Sequence, residues 1–184
     1  NNLIDSAFKL NIEKFIFLGS SCIYPKFSKQ PIKEEYLLTG DLEPTNQWYA
    51  IAKISGVKLI ESLRKQHNCN YTALMPTNLY GPNDNFDLKS SHVLPSMIRK
   101  FHEAKKNNSK VVKLWGTGSP KREFLHVNDL AKAVLFLIEN DYDSHIYNVG
   151  SGIDLTIKKL AQTVKKIIGY NGKIYWDLNK PDGT

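Results

Sequence analysis

Apolar residues in this 184-residue chain recur with two alternating periods, and that alternation restricts its fold more than any single motif does. Leu3, Ile4, Ala7, Phe8 and Leu10 are spaced as on the tail of an amphipathic helix. Lys14-Phe15-Ile16-Phe17-Leu18 is a short continuous run ending at Gly19-Ser20-Ser21, which predicts a buried strand that opens into a loop. Residues 25–46 contain Pro25, Pro31, Gly40 and Pro44 and are expected to be irregular. From Gln47 to His67 the period becomes helical, through Ile51, Ile54, Leu59, Ile60 and Leu63. Tyr71–Met75 predicts a second strand stopped by Pro76, and residues 77–91 a polar loop. A helix over Val93–Lys106 and a strand over Val111–Trp115 follow, then Gly116, Gly118 and Pro120. Glu123–His126 reads as a short strand. The next helix is expected to start from a cap at Asn128 or Asp129 and to run to about Asn140. Ile146–Val149 predicts another strand, closed by Gly150 and Gly152. Thr156 caps a last helix with Ile157, Leu160, Ala161, Val164, Ile167 and Ile168 as its stripe, and Gly169 ends it. Lys173–Trp176 reads as one more strand. Strands alternating with helices predict an α/β fold with a mostly parallel sheet. In such sheets ligands sit beyond the carboxyl ends of the strands, so the loops after Leu18 and Met75 are where chemistry is expected.

Composition narrows the function classes. The hydrophobic content of 41% supports one ordinary core, or one domain with a small appendage. The longest apolar run, Ala133–Ile138, is far too short to span a membrane. The N-terminus does not read as a signal peptide, since Lys9, Glu13 and Lys14 interrupt any apolar stretch. Two cysteines, Cys22 and Cys69, fit a reduced cytoplasmic protein with free thiols. The net charge of +7 is spread along the chain without a nucleic-acid-binding signature, which favours a phosphorylated small ligand over nucleic acid or a membrane. No metal ligands are assigned.

The pattern that carries chemistry is Tyr49-Ala50-Ile51-Ala52-Lys53, with Ser20 upstream at a strand end. Residues at i and i+4 share one helix face. An ammonium near a phenol favours the phenolate, so such a tyrosine can give or take a proton at a carbonyl or carbinol oxygen. The serine hydroxyl would hold the same oxygen. A bare Tyr-x-x-x-Lys arises often by chance, and it is the serine and the α/β order that raise it.

These residues resemble those of the extended short-chain dehydrogenases that act on nucleotide sugars. Longer segments resemble one branch, the GDP-L-fucose synthases: Gly19-Ser20-Ser21-Cys22-Ile23-Tyr24-Pro25, Glu43-Pro44-Thr45-Asn46, Met75-Pro76-Thr77-Asn78-Leu79-Tyr80-Gly81-Pro82, Asp84-Asn85-Phe86, Ser91-His92-Val93 and Arg122-Glu123-Phe124-Leu125-His126-Val127. The resemblance implies a Rossmann-like doubly wound parallel sheet, its N-terminal part missing, with a smaller C-terminal α/β substrate-binding domain. Residues 1–82 would be the C-terminal part of an NADP-binding domain bearing the catalytic residues. Residues 83–184 would mostly bind the nucleotide sugar, with 123–150 a candidate to return to the first domain. It also implies NADPH-dependent reduction and two epimerisations of a GDP-4-keto sugar, and a homodimer through helices that include the one bearing Tyr49. Ser20, Tyr49 and Lys53 would perform the reduction, and Cys22 and His92 the acid/base work of epimerisation. The nicotinamide half of NADP(H) would be lined by Leu18, Gly19, Ser20 and Ser21, by Pro76, Thr77, Asn78 and Leu79, and by Tyr49, Lys53 and His92, with Lys53 bonding the ribose. Lys100, Trp115, Arg122 and Asp182 would contact the GDP-sugar.

Each of these positions also has a plainer role open to it. Cys22 can be a small buried apolar residue, His92 a capping or surface histidine, Trp115 a core tryptophan, and Lys100 and Arg122 solvated charge. No glycine-rich dinucleotide turn occurs in the sequence, so a fragment that binds NADPH weakly is expected. The competing readings are a 4-epimerase or 4,6-dehydratase of the same fold, and a non-catalytic domain that binds a nucleotide sugar.

Overall fold

Parallel strand pairing organises both halves of the chain. The computed structural model describes residues 1–182, and Gly183 of the Pro181-Asp182-Gly183 motif lies outside the described residues. The chain forms two compact units, residues 1–79 with 127–150, and residues 80–126 with 151–182.

The first unit contains α1 (Asn2–Lys9), β1 (Lys14–Leu18), α2 (Gln47–His67), β2 (Asn70–Pro76), α4 (Val127–Glu139) and β6 (Ile146–Val149). Its sheet has the order β1-β2-β6 and is parallel throughout, with Leu18 opposite Leu74 and Pro76 opposite Val149. Parallel strands need crossovers, and α2 provides the one between β1 and β2. The core gathers Ile4 and Ala7 of α1, Ile54, Val57 and Ile60 of α2, and Tyr71, Ala73 and Met75 of β2. Gly56 lets α2 approach β1 closely, because a Cβ there would stand 2.6 Å from the Phe17 ring. Asn68, in the left-handed conformation, ends the helix.

The second unit contains α3 (Val93–Lys106), β4 (Val111–Trp115), β5 (Lys121–His126), β7 (Asp154–Thr156), α5 (Ile157–Ile168) and β8 (Lys173–Asp177). A short strand, β3 (Asn78–Tyr80), carries the chain from one unit to the other. β4 and β8 pair in parallel, with Trp115 opposite Asp177. β5 and β7 pair antiparallel. Phe101 of α3, Val112 and Leu114 of β4, and Leu160, Ala161 and Val164 of α5 form the core. The predicted caps of α5 are present, since Thr156 Oγ1 accepts from Lys159 N at 3.1 Å and Gly169 adopts φ 70°.

Four expectations from the sequence need correction. β1 is only half-buried and Leu18 is exposed, because β2 is the sole neighbour of β1 in the described sheet. Pro76 is the last residue of β2 rather than a stop before it. Ala73 N and Thr77 N donate to β6, at His145 O and Val149 O. By alternation the proline nitrogen faces the β1 side, past the end of β1 at Leu18, where no donor is needed. The polar loop over 77–91 contains β3, and β7 also went unforeseen; three-residue strands leave no periodicity to read. α4 begins at Val127, so Asn128 and Asp129 lie in its first turn and not at its cap.

Four apolar side chains counted toward the helical periods, Leu3, Leu10, Ile51 and Ile167, are exposed. Ile51 follows the buried Ala50 by one residue, a step of about 100° around the helix. Ile167 stands at the edge of the α5 stripe in its last turn.

Because the approach of α2 to β1 depends on a missing side chain, Gly56→Val is expected to destabilise the protein by about 1–3 kcal/mol. Urea denaturation followed by circular dichroism measures it.

Candidate active site

In the first unit the predicted catalytic residues gather at the carboxyl ends of the parallel strands. Gly19 continues β1 by donating its N–H to Leu74 O at 2.8 Å. It is buried against Met75, whose thioether a Cβ would strike. Ser20 then opens a short 3-10 turn over Ser21–Ile23, with Ile23 N donating to Ser20 O at 3.2 Å. The Ser20 hydroxyl oxygen accepts the Cys22 N–H at 3.3 Å. That contact uses a lone pair and leaves the hydroxyl hydrogen to donate elsewhere. Cys22 is a free thiol, half-buried in this turn. Cys69, also free, packs against the core just before β2.

Tyr49 and Lys53 lie on α2 one turn apart. The Lys53 ammonium donates to Leu18 O at 2.8 Å, which fastens the helix to the end of β1. The same ammonium lies 5.7 Å from the centroid of the Tyr49 ring and 5.1 Å from that of Phe17. Tyr49 is 50% exposed. A lysine has three donors, so two remain after the bond to Leu18.

The end of β2 supplies the other expected cofactor-lining residues. Pro76 is buried, Thr77 and Leu79 are half-buried, and Asn78 is exposed. Thr77 Oγ1 is buried without a hydrogen-bond partner. A buried hydroxyl left unpaired is costly, and here it lies where a parallel sheet receives ligands. With the spare donors of Lys53, it fits the hydroxyl-rich half of a nicotinamide nucleotide.

In the second unit the predicted substrate residues gather at the carboxyl end of the β4–β8 pair. Trp115 is 59% exposed and takes no part in the core described for this unit. Lys100 Nζ lies 6.0 Å and Lys180 Nζ 5.6 Å from its ring centroid. Burial pushes the Lys100 ammonium below its ordinary value. After Trp115 the chain turns through Gly116 at φ 71° and Gly118 at φ 74°, conformations that favour glycine. Asp182 closes this turn by accepting from Thr117 N at 2.5 Å and from the Thr117 hydroxyl at 2.9 Å. The Thr117 amide, with Arg122 as a lesser influence, holds the Asp182 carboxyl below the ordinary carboxylate value. Half-buried Arg122 donates to Lys121 O at 2.7 Å. His92 is exposed at the N-terminus of α3 and makes no capping bond through its side chain. Among the described residues no cluster of His, Cys, Asp and Glu could hold a metal ion. Among them too, no helix is long and apolar enough to cross a membrane.

Sequence reasoning missed two members of this cluster. Thr117 carries a signal, since it stands between two glycines that force a tight turn. Lys180 carries none, because its meeting with Trp115 depends on the pairing of β4 with β8.

Comparison with known proteins gives this geometry a family. The NAD dependent epimerase/dehydratase family matches residues 1–150. The chain belongs to it. A putative GDP-L-fucose synthase 2 from Arabidopsis thaliana is 57% identical over 183 residues, which is all of this chain and 56% of that protein. The GDP-L-fucose synthase of Escherichia coli strain K12 is 51% identical, and the chain covers 60% of it. The chain therefore spans little more than half the length of these relatives. A crystal structure of a GDP-L-fucose synthetase from Naegleria fowleri bound to NADP superposes with a TM-score of 0.90 at 30% identity, over all of this chain and 59% of that one. The NADP-bound GDP-mannoheptose C4 reductase from Campylobacter jejuni gives 0.88 at 37% identity, over 96% of this chain and 63% of that one. The fold is the Rossmann type common to this epimerase/dehydratase family.

The Asp182–Thr117 bond makes a titratable prediction. With its folded value below the ordinary 3.8, the bond contributes fully above that pH and is lost as pH falls through the lowered value. Thr117→Val removes one donor and is expected to raise the Asp182 midpoint toward 3.8, read by NMR titration of the carboxyl carbon.

Proposed function

We propose that the intact protein carrying this chain is an NADP-dependent oxidoreductase and epimerase that converts GDP-4-keto-6-deoxy-D-mannose to GDP-L-fucose. The observation that carries this reading is the Lys53 ammonium held on Leu18 O at 2.8 Å, one helical turn from Tyr49, where Ser20 and Cys22 follow the end of β1. The names of the relatives support the substrate.

The reaction divides into two kinds of step. The C4 ketone acidifies the protons at C3 and C5. A base removes each proton to give an enolate, and an acid returns it on the opposite face. Thiol and imidazole titrate nearest neutrality among side chains, so Cys22 and His92 are assigned this work. NADPH, when bound, supplies the hydride that reduces C4. Ser20 donates its hydroxyl hydrogen to the C4 oxygen, and Tyr49 gives that oxygen its proton as the carbonyl becomes a carbinol. Lys53 stabilises the tyrosinate left behind, and its spare donors are assigned to the nicotinamide ribose. Leu18–Ser21 and Pro76–Leu79 are assigned to the cofactor wall.

Lys100, Trp115, Arg122 and Asp182 are assigned to the GDP-sugar. The exposed indole offers a stacking face, and the cations offset diphosphate charge. We infer a cytoplasmic homodimer. The free thiols Cys22 and Cys69 support the compartment, and Trp48 and Ile51, exposed on the helix that bears Tyr49, support the contact.

In the intact protein, Tyr49→Phe is expected to abolish NADPH oxidation with the GDP-keto sugar while leaving substrate binding within about twofold. Cys22→Ser is expected to slow solvent-deuterium exchange at C3 and C5 far more than hydride transfer. Undiminished exchange in that variant removes Cys22 from the mechanism. Turnover of UDP-galactose, with none of the GDP-keto sugar, favours a 4-epimerase instead.

A further inference from the structure

The turn that carries Ser20 and Cys22 is held from behind by residues with no part in the chemistry assigned above. Tyr24 follows Cys22 by two residues, is 4% exposed, and closes the turn by donating its backbone N–H to Ser21 O at 3.3 Å. Its hydroxyl donates to Asn148 Oδ1 at 2.6 Å. Asn148 lies in β6, opposite Met75, the residue against which Gly19 packs. Its side-chain amide donates to Ile32 O at 3.0 Å, and its backbone N–H donates to the Glu34 carboxylate at 2.7 Å. Burial, and after it the charge of Glu34, pushes the Tyr24 phenol well above its ordinary value, so it stays neutral and keeps its hydrogen.

This arrangement suits an asparagine. The Ile32 carbonyl can only accept and the Tyr24 hydroxyl donates, so one side chain must offer both a donor and an acceptor. A carboxylate at 148 could not serve Ile32 and would repel Glu34.

We propose that Asn148 is a positioning residue that sets the place of Ser20 and Cys22 by holding the Tyr24 hydroxyl. The proposal rests on the reading given under Proposed function for its catalytic consequence, though not for its geometry. One bond from β6 then governs both the hydroxyl that binds the C4 oxygen and the thiol that moves protons at C3 and C5. Displacing such groups costs rate more than binding.

The test uses the intact protein with Tyr24→Phe, Asn148→Ala and the double variant, in a Cys69→Ser background. Three quantities are read: exchange at C3 and C5, hydride transfer, and the rate of Cys22 alkylation by iodoacetamide. Thermal melting shows that each variant is folded. Exchange and hydride transfer are expected to fall on the order of tenfold in Tyr24→Phe with KM little changed. The double variant is expected to be no slower than the slower single one, since both substitutions break one link. Cys22 alkylation is expected to change about threefold or more in each. Unchanged alkylation and unchanged turnover in folded Tyr24→Phe, or additive losses in the double variant, overturn the proposal. If the unsubstituted protein does not turn over the GDP-keto sugar, the functional reading fails, and the alkylation rates alone decide the positioning role.

Discussion

The first unit depends on how closely α2 lies against β1. Gly56 sets that approach, since any side chain there would meet Phe17. The closeness lets Lys53, one turn earlier on the same helix, reach Leu18 O at 2.8 Å. Tyr49 is then carried to the strand end by helix geometry alone, because i and i+4 share a face. One packing contact thus converts a sequence spacing into a spatial relation between a helix and the loop that holds Ser20 and Cys22. A Lys–carbonyl bond at a half-exposed site contributes little to global stability. What it fixes is position.

Most of this was legible in the sequence, for reasons that differ by element. α2, α3 and α5 carry enough turns for a helical period to show, and β4 and β6 fall where their apolar runs are bounded by glycine. β3 and β7 are too short to carry any period. The half-exposure of β1 follows from how many strands flank it, which no local pattern encodes. In the candidate site, the placing of Tyr49 and Lys53 on one helix face and of Ser20 at a strand end was readable from spacing. Asn148 was not, since an asparagine in a strand looks unremarkable until its partners Tyr24, Ile32 and Glu34 are brought to it from far along the chain.

The second unit follows a similar plan with other chemistry. A parallel strand pair again ends in a turn, and again a side chain fastens it. Here the fastener is Asp182, and the exposed group beside it is the Trp115 ring, with the Lys100 and Lys180 ammoniums near it. Positive charge over the ring face is compatible with a ligand that combines an aromatic base and a diphosphate.

The Asp182–Thr117 contact joins residues 65 positions apart in the chain. Asp182 follows β8 closely in the chain, so the pairing of β4 with β8 brings the two ends of this span together. The fastening of the turn after Trp115 therefore depends on that pairing. Cleavage anywhere between β8 and Asp182 would part the carboxylate from the strand that brings it to Thr117.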